Sequence, residues 1–345
     1  MGLTQPVAPY FRIEANDSDI TSKILDRFVS LRFTDETGNT SDMLEIVLAD
    51  HDPENPISIP PTGAELKLYL GYDGDAKYMG LFVADEIEMS GPPDEMTIRA
   101  RAAPYDQSKA GKTGLQTQKV RSWQAGLTIG AVVKQIASEH NMQGLVAPSL
   151  SSIQLPHIDQ PDESDINFLL RLAKKYDAVA KPVAGNLIMA KRGEFKSVSG
   201  QDLPSVSIDL SEVTTWRMMQ SMRESAGTVV AYWHAVKQAT RHEVSVGSGE
   251  PVKRLKQYFP TSDEALAAAK SELDRRRRRM VTFYITMPGR NDLAAEAEIN
   301  LTSWRAGIAT SWVCTHVEHF LDSRGYSCHV EMEQPNSGTD NVTED

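Results

Sequence analysis

Two carboxylates, Glu163 and Asp165, stand two positions apart and could flank a sugar bond. Glycosidases and muramidases use such a pair, one residue as a general acid and the other as a base or nucleophile. The apolar spacing around them predicts a helix over residues 162–176, capped by Asp162 or Ser164. Both carboxylates then lie in its first turn, where negative charge stabilises the positive end of the helix dipole. We therefore interpret the pair as helix-capping residues.

Two thiols and three imidazoles near the end of the chain could complete a zinc site: Cys314, His316, His319, Cys328 and His329. The spacing instead predicts a hairpin whose turn lies between residues 321 and 326. In that register His319 faces Cys328, whereas Cys314 lies near residue 333, five rungs or about 17 Å away along the strand. Ordinary β packing is therefore favoured over a metal site or a disulfide in this hairpin.

The other chemical candidates are weaker. Asp50, His51 and Asp52 could be metal ligands, but adjacent loop residues rarely converge on one ion, so a solvated turn is favoured. The sequence contains neither a Gly-x-Ser-x-Gly nucleophile elbow nor the glycine motifs of mononucleotide or dinucleotide sites. We predict no catalytic residue, no cofactor and no metal ligand, and hence no enzyme.

The strongest charge run consists of five arginines, from Arg275 to Arg279. It could contact a nucleic acid backbone, a DNA channel or a partner subunit. It also suits the end of a helix, where cations stabilise the dipole, with Glu272 and Asp274 placed for i,i+4 pairs with Arg276 and Arg278. The helix-closing interpretation is favoured, and the contacts of the run stay open.

Composition limits the class of protein. The 345 residues suggest two or three domains, and 40% apolar with 24% charged residues is ordinary globular usage. A net charge of -11 disfavours a duplex-binding surface over the whole molecule. The N-terminus lacks the features of a signal peptide, no segment has the length of a membrane span, and two cysteines fit synthesis in a reducing cytoplasm.

Hydrophobic periodicity predicts an α+β, mainly β protein. Period-two patterns between turn signals predict antiparallel strands at 28–33, 44–48, 65–72, 77–89 and 95–102. The middle predicts a polar linker over 106–117, a helix over 129–140 capped by Thr128, the helix over 162–176 and a hairpin of 178–182 with 186–190. The last part predicts a helix to Arg279, opened by a Thr261 and Glu264 capping box, and strands at 281–287, 297–301, 312–321 and 326–333.

These elements divide into a first tube-like β domain (1–104), a middle α/β region (105–205), a second tube-like β domain with an inserted helix (206–335) and a flexible tail (336–345). The segment 127–142 resembles the first helix of a LysM peptidoglycan-binding module, so the middle region is predicted to be LysM-like. Because a shared fold does not carry function, scaffolding is favoured there over sugar binding.

The last hairpin of the first β domain has an echo near the end of the chain. Residues 83–88 (VADEIE) align with 313–318 (VCTHVE), and at the same offset of 230 residues 96–99 (MTIR) align with 326–329 (YSCH). The echo indicates either an internal duplication or the general likeness of two antiparallel hairpins.

The ordered set of motifs resembles the late control protein D family of phage tail hubs, which is related to the hub portion of VgrG spike proteins. Its carriers are DIT at 19–21, LRFTD at 31–35, SDMLEI at 41–46, Trp123 with LTIG at 127–130, DQPDESD at 159–165, FLLRLA at 168–173, THVEH at 315–319 and RGY at 324–326. The resemblance covers nearly the whole chain.

The resemblance implies a structural hub in the baseplate of a contractile phage tail or a phage-tail-like bacteriocin. It implies a homotrimer whose six tube-like domains face a hexameric tail tube and whose threefold symmetry suits a trimeric spike. Because this chain ends soon after its last hairpin, we expect the spike to be a separate polypeptide. Further expected partners are baseplate wedge proteins, the tape measure protein and, in an infectious phage, DNA in passage, with no membrane insertion.

Two other functions stay open at this point. One is a tail-associated enzyme that degrades peptidoglycan, which needs a cleft with a perturbed carboxylate. The other is a peptidoglycan-binding module. Assembly is expected in the cytoplasm of a bacterial host.

Overall fold

The computed structural model describes residues 8–38, 41–102, 114–183, 186–193, 205–221, 227–234, 240–335 and 342–344. The protein is α+β and mainly β, as predicted. The strands are β1 Pro9–Ala15, β2 Ser18–Asp19, β3 Phe28–Glu36, β4 Met43–Ala49, β5 Glu65–Tyr72, β6 Asp75–Ser90, β7 Glu95–Ala102, β8 Gln118–Trp123, β9 Gln143–Val146, β10 Ile158–Ser164, β11 Ala178–Val183, β12 Asn186–Lys191, β13 Ser205–Asp209, β14 Thr215–Gln220, β15 Thr228–His234, β16 Arg241–Gly247, β17 Val252–Phe259, β18 Val281–Pro288, β19 Glu298–Thr302, β20 Ser311–Asp322, β21 Gly325–Glu333 and β22 Val342–Glu344. The helices are α1 Thr21–Ile24, α2 Ile129–Glu139, α3 Pro148–Ser151, α4 Asp165–Lys175 and α5 Ser262–Met280.

One 13-stranded sheet contains the first seven strands together with β13, β14 and β18 to β21. Alternating apolar residues supply its inner face, as in β4, where Leu44, Ile46 and Leu48 are buried. The buried side chains of this sheet form a single hydrophobic cluster that reaches from Phe11 to Met332. Strands from both ends of the chain therefore share one core.

Apart from the two-residue β2, the large sheet consists of two six-stranded units with the same strand order. In the first unit the lateral order is β1-β5-β6-β7-β4-β3, and in the second it is β13-β19-β20-β21-β18-β14. Taken in chain order, each strand of the first unit has a counterpart at the same place in the second. The outermost pair differs, because β1 is antiparallel to β5 whereas β13 is parallel to β19.

The likeness extends to irregular details. A β-bulge at Asp85 interrupts the pairing of β6 with β7, and one at Thr315 interrupts that of β20 with β21. Beside the first bulge the Gly63 N–H donates to the carbonyl of Ala84, and beside the second the Glu296 N–H donates to the carbonyl of Cys314. Both donor residues have positive φ. The first strands of the two hairpins thus correspond at the predicted offset of 230.

The second strands of these hairpins correspond differently from the prediction. Ala84 lies opposite Ala100 and Cys314 lies opposite Met332, so β7 and β21 correspond at an offset of 232. The predicted match of 96–99 with 326–329 is therefore wrong by two residues. The loop of the second hairpin is shorter, and the paired stretch between its bulge and its loop is longer, which an ungapped alignment cannot represent.

The middle region has its own core, in which α2 and α4 pack near two small sheets, β8 with β10 and β11-β12-β9. Thr128 caps α2 as predicted, accepting a hydrogen bond from the Ala131 N–H. Helix α4 begins at Asp165 and is capped by Ser164. The prediction that Glu163 lies in the first helical turn is wrong, since it belongs to β10, which pairs with β8. The predicted linker 106–117 lies mostly outside the described residues, as does the hairpin turn at 184–185.

An insertion between β14 and β18 contains β15, β16, β17 and α5 around a third small core. Thr261 caps α5, but the Glu264 carboxylate pairs with Lys175 on α4, so only half of the predicted capping box forms. At the end of the chain, β22 pairs with β16. This segment differs from the predicted flexible tail because the exposed edge of β16 offers backbone hydrogen-bonding groups to it.

In the parts of the chain that the structure describes, none of the helices has both the length and the apolar character needed to span a bilayer.

Candidate assembly interface

The two units of the large sheet are joined through β3 and β20. These strands run antiparallel, with Leu31 opposite Leu321 and Phe33 opposite His319. The Phe33 ring stacks on the imidazole of His319 at a centroid distance of 5.3 Å. An ion pair of 3.4 Å between Arg32 and Glu318 crosses the same junction. The joint therefore combines backbone pairing, an apolar contact and a charge pair.

His319 is fully buried at this junction. Its Nδ1 lies 2.7 Å from the Tyr326 hydroxyl and 3.3 Å from the Cys328 sulfur. Burial lowers the pKa of His319 to about 4, because the charged imidazolium would lose its hydration. Burial also raises the pKa of the Cys328 thiol to about 11. At neutral pH both groups are uncharged members of the core.

Strand β14 ends the large sheet on one side and, within the described residues, pairs with β18 alone. All six of its residues are exposed, although it carries large apolar side chains. Trp216 is 42% exposed and Met218 is 36% exposed. An exposed strand edge with apolar residues is a ready surface for pairing with another chain.

The last part of β6 offers a second edge. Residues after the bulge at Asp85 pair with β7 on one side, while the partner on the other side, β5, ends its pairing at Val83. Met89 is 46% exposed on this stretch. This edge and that of β14 therefore both have an unpaired side within the large sheet.

Asp165 lies at the centre of a buried ion-pair network. It is 0% exposed and accepts hydrogen bonds from Lys119 at 2.7 Å, Arg121 at 2.5 Å, His140 at 2.7 Å and Gln160 at 2.9 Å. Burial alone raises the pKa of this carboxyl, but the hydrogen bonds outweigh burial and hold the pKa below its ordinary value. A carboxylate that stays ionised is not suited to act as a general acid.

Glu163, the other carboxylate of the predicted acidic pair, has a different cationic partner from Asp165. Glu163 points to Arg171, with which it forms an ion pair of 2.8 Å. The structure thus assigns each carboxylate its own cations. Both stabilise the local fold around the start of α4.

Glu139 and His140 lie beside Asp165, and the ligand atoms of these three residues are within 4.8 Å of one another. Lys119 and Arg121 also contact Glu139, at 3.0 Å and 2.8 Å. These two cations already neutralise the carboxylates that an ion would need. We interpret the cluster as a salt-bridge network that joins β8, α2 and α4.

The other predicted candidates have structural contacts. The Asp50 carboxylate accepts from Arg27 at 3.0 Å and from the Ile57 N–H at 2.8 Å, and so orders its loop. His319 faces Cys328 as predicted, and Cys314 lies opposite Met332 because of the bulge. Both cysteines are buried free thiols. Within the described residues, this hairpin brings no group of three metal-ligand atoms together.

The arginine run closes α5, and one member has a role that the spacing did not predict. Arg276 pairs with Glu272 at 2.7 Å, as expected for i,i+4 spacing. Arg278 is 2% exposed and forms a bidentate pair with Asp177, with both distances 2.6 Å. It also lies 2.9 Å from Glu333 at the end of β21. This guanidinium links the middle region, the insertion and the large sheet.

Sequence reasoning missed the Asp165 network and the role of Arg278. For the network, one signal was available: Lys119, Arg121 and Trp123 alternate along a strand and so share one face. For Arg278, the sequence offered no signal, because its partners lie 101 and 55 positions away.

A duplicated β unit, exposed apolar residues on strand edges and carboxylates held in ion pairs are together typical of a component of a protein assembly. The comparisons with known proteins agree. Residues 88–325 match the family described as phage tail baseplate hub (GPD). A probable baseplate hub protein of Escherichia phage P2 is 30% identical over 98% of this chain and 96% of its own length.

Solved structures share the fold at low sequence identity. A 43 kDa tail protein of prophage MuSo2 from Shewanella oneidensis is 12% identical, covers 95% of this chain and 99% of its own and has a TM-score of 0.70. A component of the E. coli type VI secretion system is 12% identical over 98% of this chain and 76% of its own, with a TM-score of 0.52.

The chain belongs to the phage tail baseplate hub family. It is a structural protein of the hub in a phage tail baseplate, as the ordered motifs predicted.

Proposed function

We propose that this hub protein works as a trimer that adapts a hexameric contractile-type tail tube to a trimeric spike. The observation that carries the proposal is the duplication of a six-stranded unit within one chain. Three copies of a twofold-repeated chain present six similar units to a sixfold partner and three identical faces to a threefold one. In this arrangement each unit forms one part of a tube-like barrel.

The remaining partners follow from the same position. The tail tube protein contacts the face with six units, the spike contacts the opposite face, and wedge proteins contact the outside. The tape measure protein and passing DNA occupy the central channel. In this arrangement the LysM-like middle region lies outside the ring and acts as a scaffold.

Native mass measurement of the purified chain, alone and within isolated tail particles, tests this proposal. We expect a species of three times the 38.1 kDa chain mass. A stable dimer, or a hub that contains six chains per tail, contradicts it.

We also propose that the protein has no catalytic activity on peptidoglycan. Asp165 is held ionised by hydrogen bonds from Lys119, Arg121, a histidine and an amide, and Glu163 is paired with Arg171, so neither is suited to donate a proton to a sugar oxygen. Purified protein is expected to leave peptidoglycan intact in a zymogram. Clearing that disappears on substitution of either carboxylate by Ala contradicts this expectation.

A further inference from the structure

The junction inside the chain provides a template for a junction between chains. Inside the chain, β3 of the first unit adds to the edge of β20 in the second unit. The counterpart of β3 in the second unit is β14, and the counterpart of β20 in the first unit is β6. The last part of β6 and the outer side of β14 both lack a second strand partner among the described strands.

We propose that β14 of one copy of this chain pairs antiparallel with the last part of β6 in the next copy. The register follows from the correspondence of the units. Phe33 lies opposite His319, and their counterparts are Met218 and Met89, so Met218 of one copy lies opposite Met89 of the next. This inference rests on the proposed ring and specifies its subunit joint.

Exposure supports this assignment. On β3, Leu31 and Phe33 are 0% and 3% exposed because β20 and the second unit cover them. Their counterparts on β14, Trp216 and Met218, are 42% and 36% exposed. The side chains have the apolar character of a buried strand and lack the neighbour that would bury them.

The other edge shows the same difference. On β20, Val317 and His319 are both 0% exposed, whereas Met89, the counterpart of His319, is 46% exposed. Burial of methionine side chains on both edges removes apolar surface from water when two copies join. The two exposed edges are thus complementary in the same register as the covered ones.

Charge gives a second, independent match. The ion pair that crosses the internal junction joins Arg32 with Glu318. The counterpart of Arg32 is Arg217, and the counterpart of Glu318 is Glu88. Both charges are thus conserved between the units, although the sequences around them differ. Glu88 also contacts Arg99 at 2.8 Å, so the carboxylate would lie between two guanidinium groups in the joined state.

The joint is head to tail, because it uses different surfaces on the two copies. Such interfaces close into rings or continue as helices, depending on the rotation between copies. A closed ring of three copies would contain three internal junctions and three junctions between copies, all of the same kind. An open edge also disappears from every copy, which removes an aggregation hazard.

A disulfide cross-link between copies tests the register. Within one chain Met89 and Met218 are separated by most of the sheet order, so a bond between cysteines at these positions forms between copies. We expect the M89C/M218C double variant to give covalent dimers and trimers under mild oxidation. The matched control, M89C/Q220C, shifts one cysteine by two residues on the same face and is expected to react at least about tenfold more slowly, given the steep geometric requirement of a disulfide.

The charge pair provides a test without cysteines. The R217E variant places two carboxylates together at each joint, and like charges across an interface are strongly unfavourable. We expect it to raise the concentration for half-assembly by about tenfold or more. Lys256→Glu makes the same charge change on an exposed residue of β17 and is expected to leave assembly unchanged.

The outcomes distinguish a failure of the β14–β6 pairing from a failure of the proposed trimer. A trimer by native mass in which M89C/M218C does not cross-link, or reacts no faster than the shifted pair, overturns this joint and leaves the proposed function standing. Absence of any trimer in the purified chain and in tail particles overturns the proposed function, and this inference with it.

Discussion

At the scale of single residues, charged side chains in this protein serve mainly to hold elements together. Arg278 and Asp165 are both buried, and each is paired with several opposite charges from other elements. Removing one partner of such a group leaves a buried charge without compensation, which costs far more than losing a surface pair. We therefore expect substitutions of Arg278 or Asp165 to lower the stability of the fold.

Replacing Arg278 by Met is expected to lower the free energy of unfolding by about 3–5 kcal/mol, because the buried Asp177 would lose its bidentate partner and the half-buried Glu333 would lose a cation. Denaturant unfolding followed by circular dichroism measures the change. The control is Arg279→Met, on an exposed neighbour, which should change the value by less than about 0.5 kcal/mol. Equal effects of the two substitutions contradict the role assigned to Arg278.

His319 is expected to make stability depend on pH. Its pKa is about 4 in the folded chain and about 6.5 when unfolded, so the unfolded state binds more protons between these values. The stabilising contribution is complete above pH 6.5 and is lost as the pH falls through 4, by about 3 kcal/mol in all. Asp42, whose pKa burial raises to about 6, changes stability in the opposite direction over part of this range.

The contribution of His319 is therefore measured by comparing the wild type with a variant that lacks this histidine. The free energy of unfolding is followed from pH 7 to pH 4 for the wild type and for His319→Leu, so that the Asp42 contribution cancels. We expect a shallower dependence in the variant. His157→Asn, which changes an exposed histidine, serves as the control, and an unchanged slope in His319→Leu contradicts the account.

At the scale of elements, local signals predicted most strands and helix caps. Alternating apolar residues in β4 and the turn at residues 73–75 placed the strands of the first unit within a few residues. The start of α4 was misplaced because Asp162 and Glu163 resemble a capped first turn. In the structure Asp162 lies in a β-bulge with positive φ, and Glu163 pairs with Lys119 of β8. That pairing depends on residues about 40 positions away, which periodicity cannot detect.

One element-scale prediction concerns the cap of α2. Thr128→Ala removes the acceptor for the Ala131 N–H and is expected to cost about 1 kcal/mol. The shift in the denaturation midpoint measures this cost. Ser138→Ala, on an exposed position inside the same helix, should have a smaller effect of either sign. A larger loss from Ser138→Ala than from Thr128→Ala contradicts the capping role.

At the scale of the whole molecule, the sequence indicated duplication through one hairpin, but the extent of the duplication emerged only from strand pairing. Repeated topology without repeated sequence is expected when only backbone geometry and burial are shared between units. Arg32 and Arg217 illustrate the point, since they occupy the same place beside different neighbours. The open edges could not be predicted from sequence, because β14 has the composition of a covered strand.

The most direct test is a cryo-electron microscopy map of the hub in an assembled tail, reconstructed without imposed symmetry. We expect a threefold ring in which the two units of each chain superpose and alternate around the axis, with β14 of each copy beside β6 of the next. A hub that is not threefold, or one in which the two units of a chain do not occupy equivalent places around the axis, contradicts it.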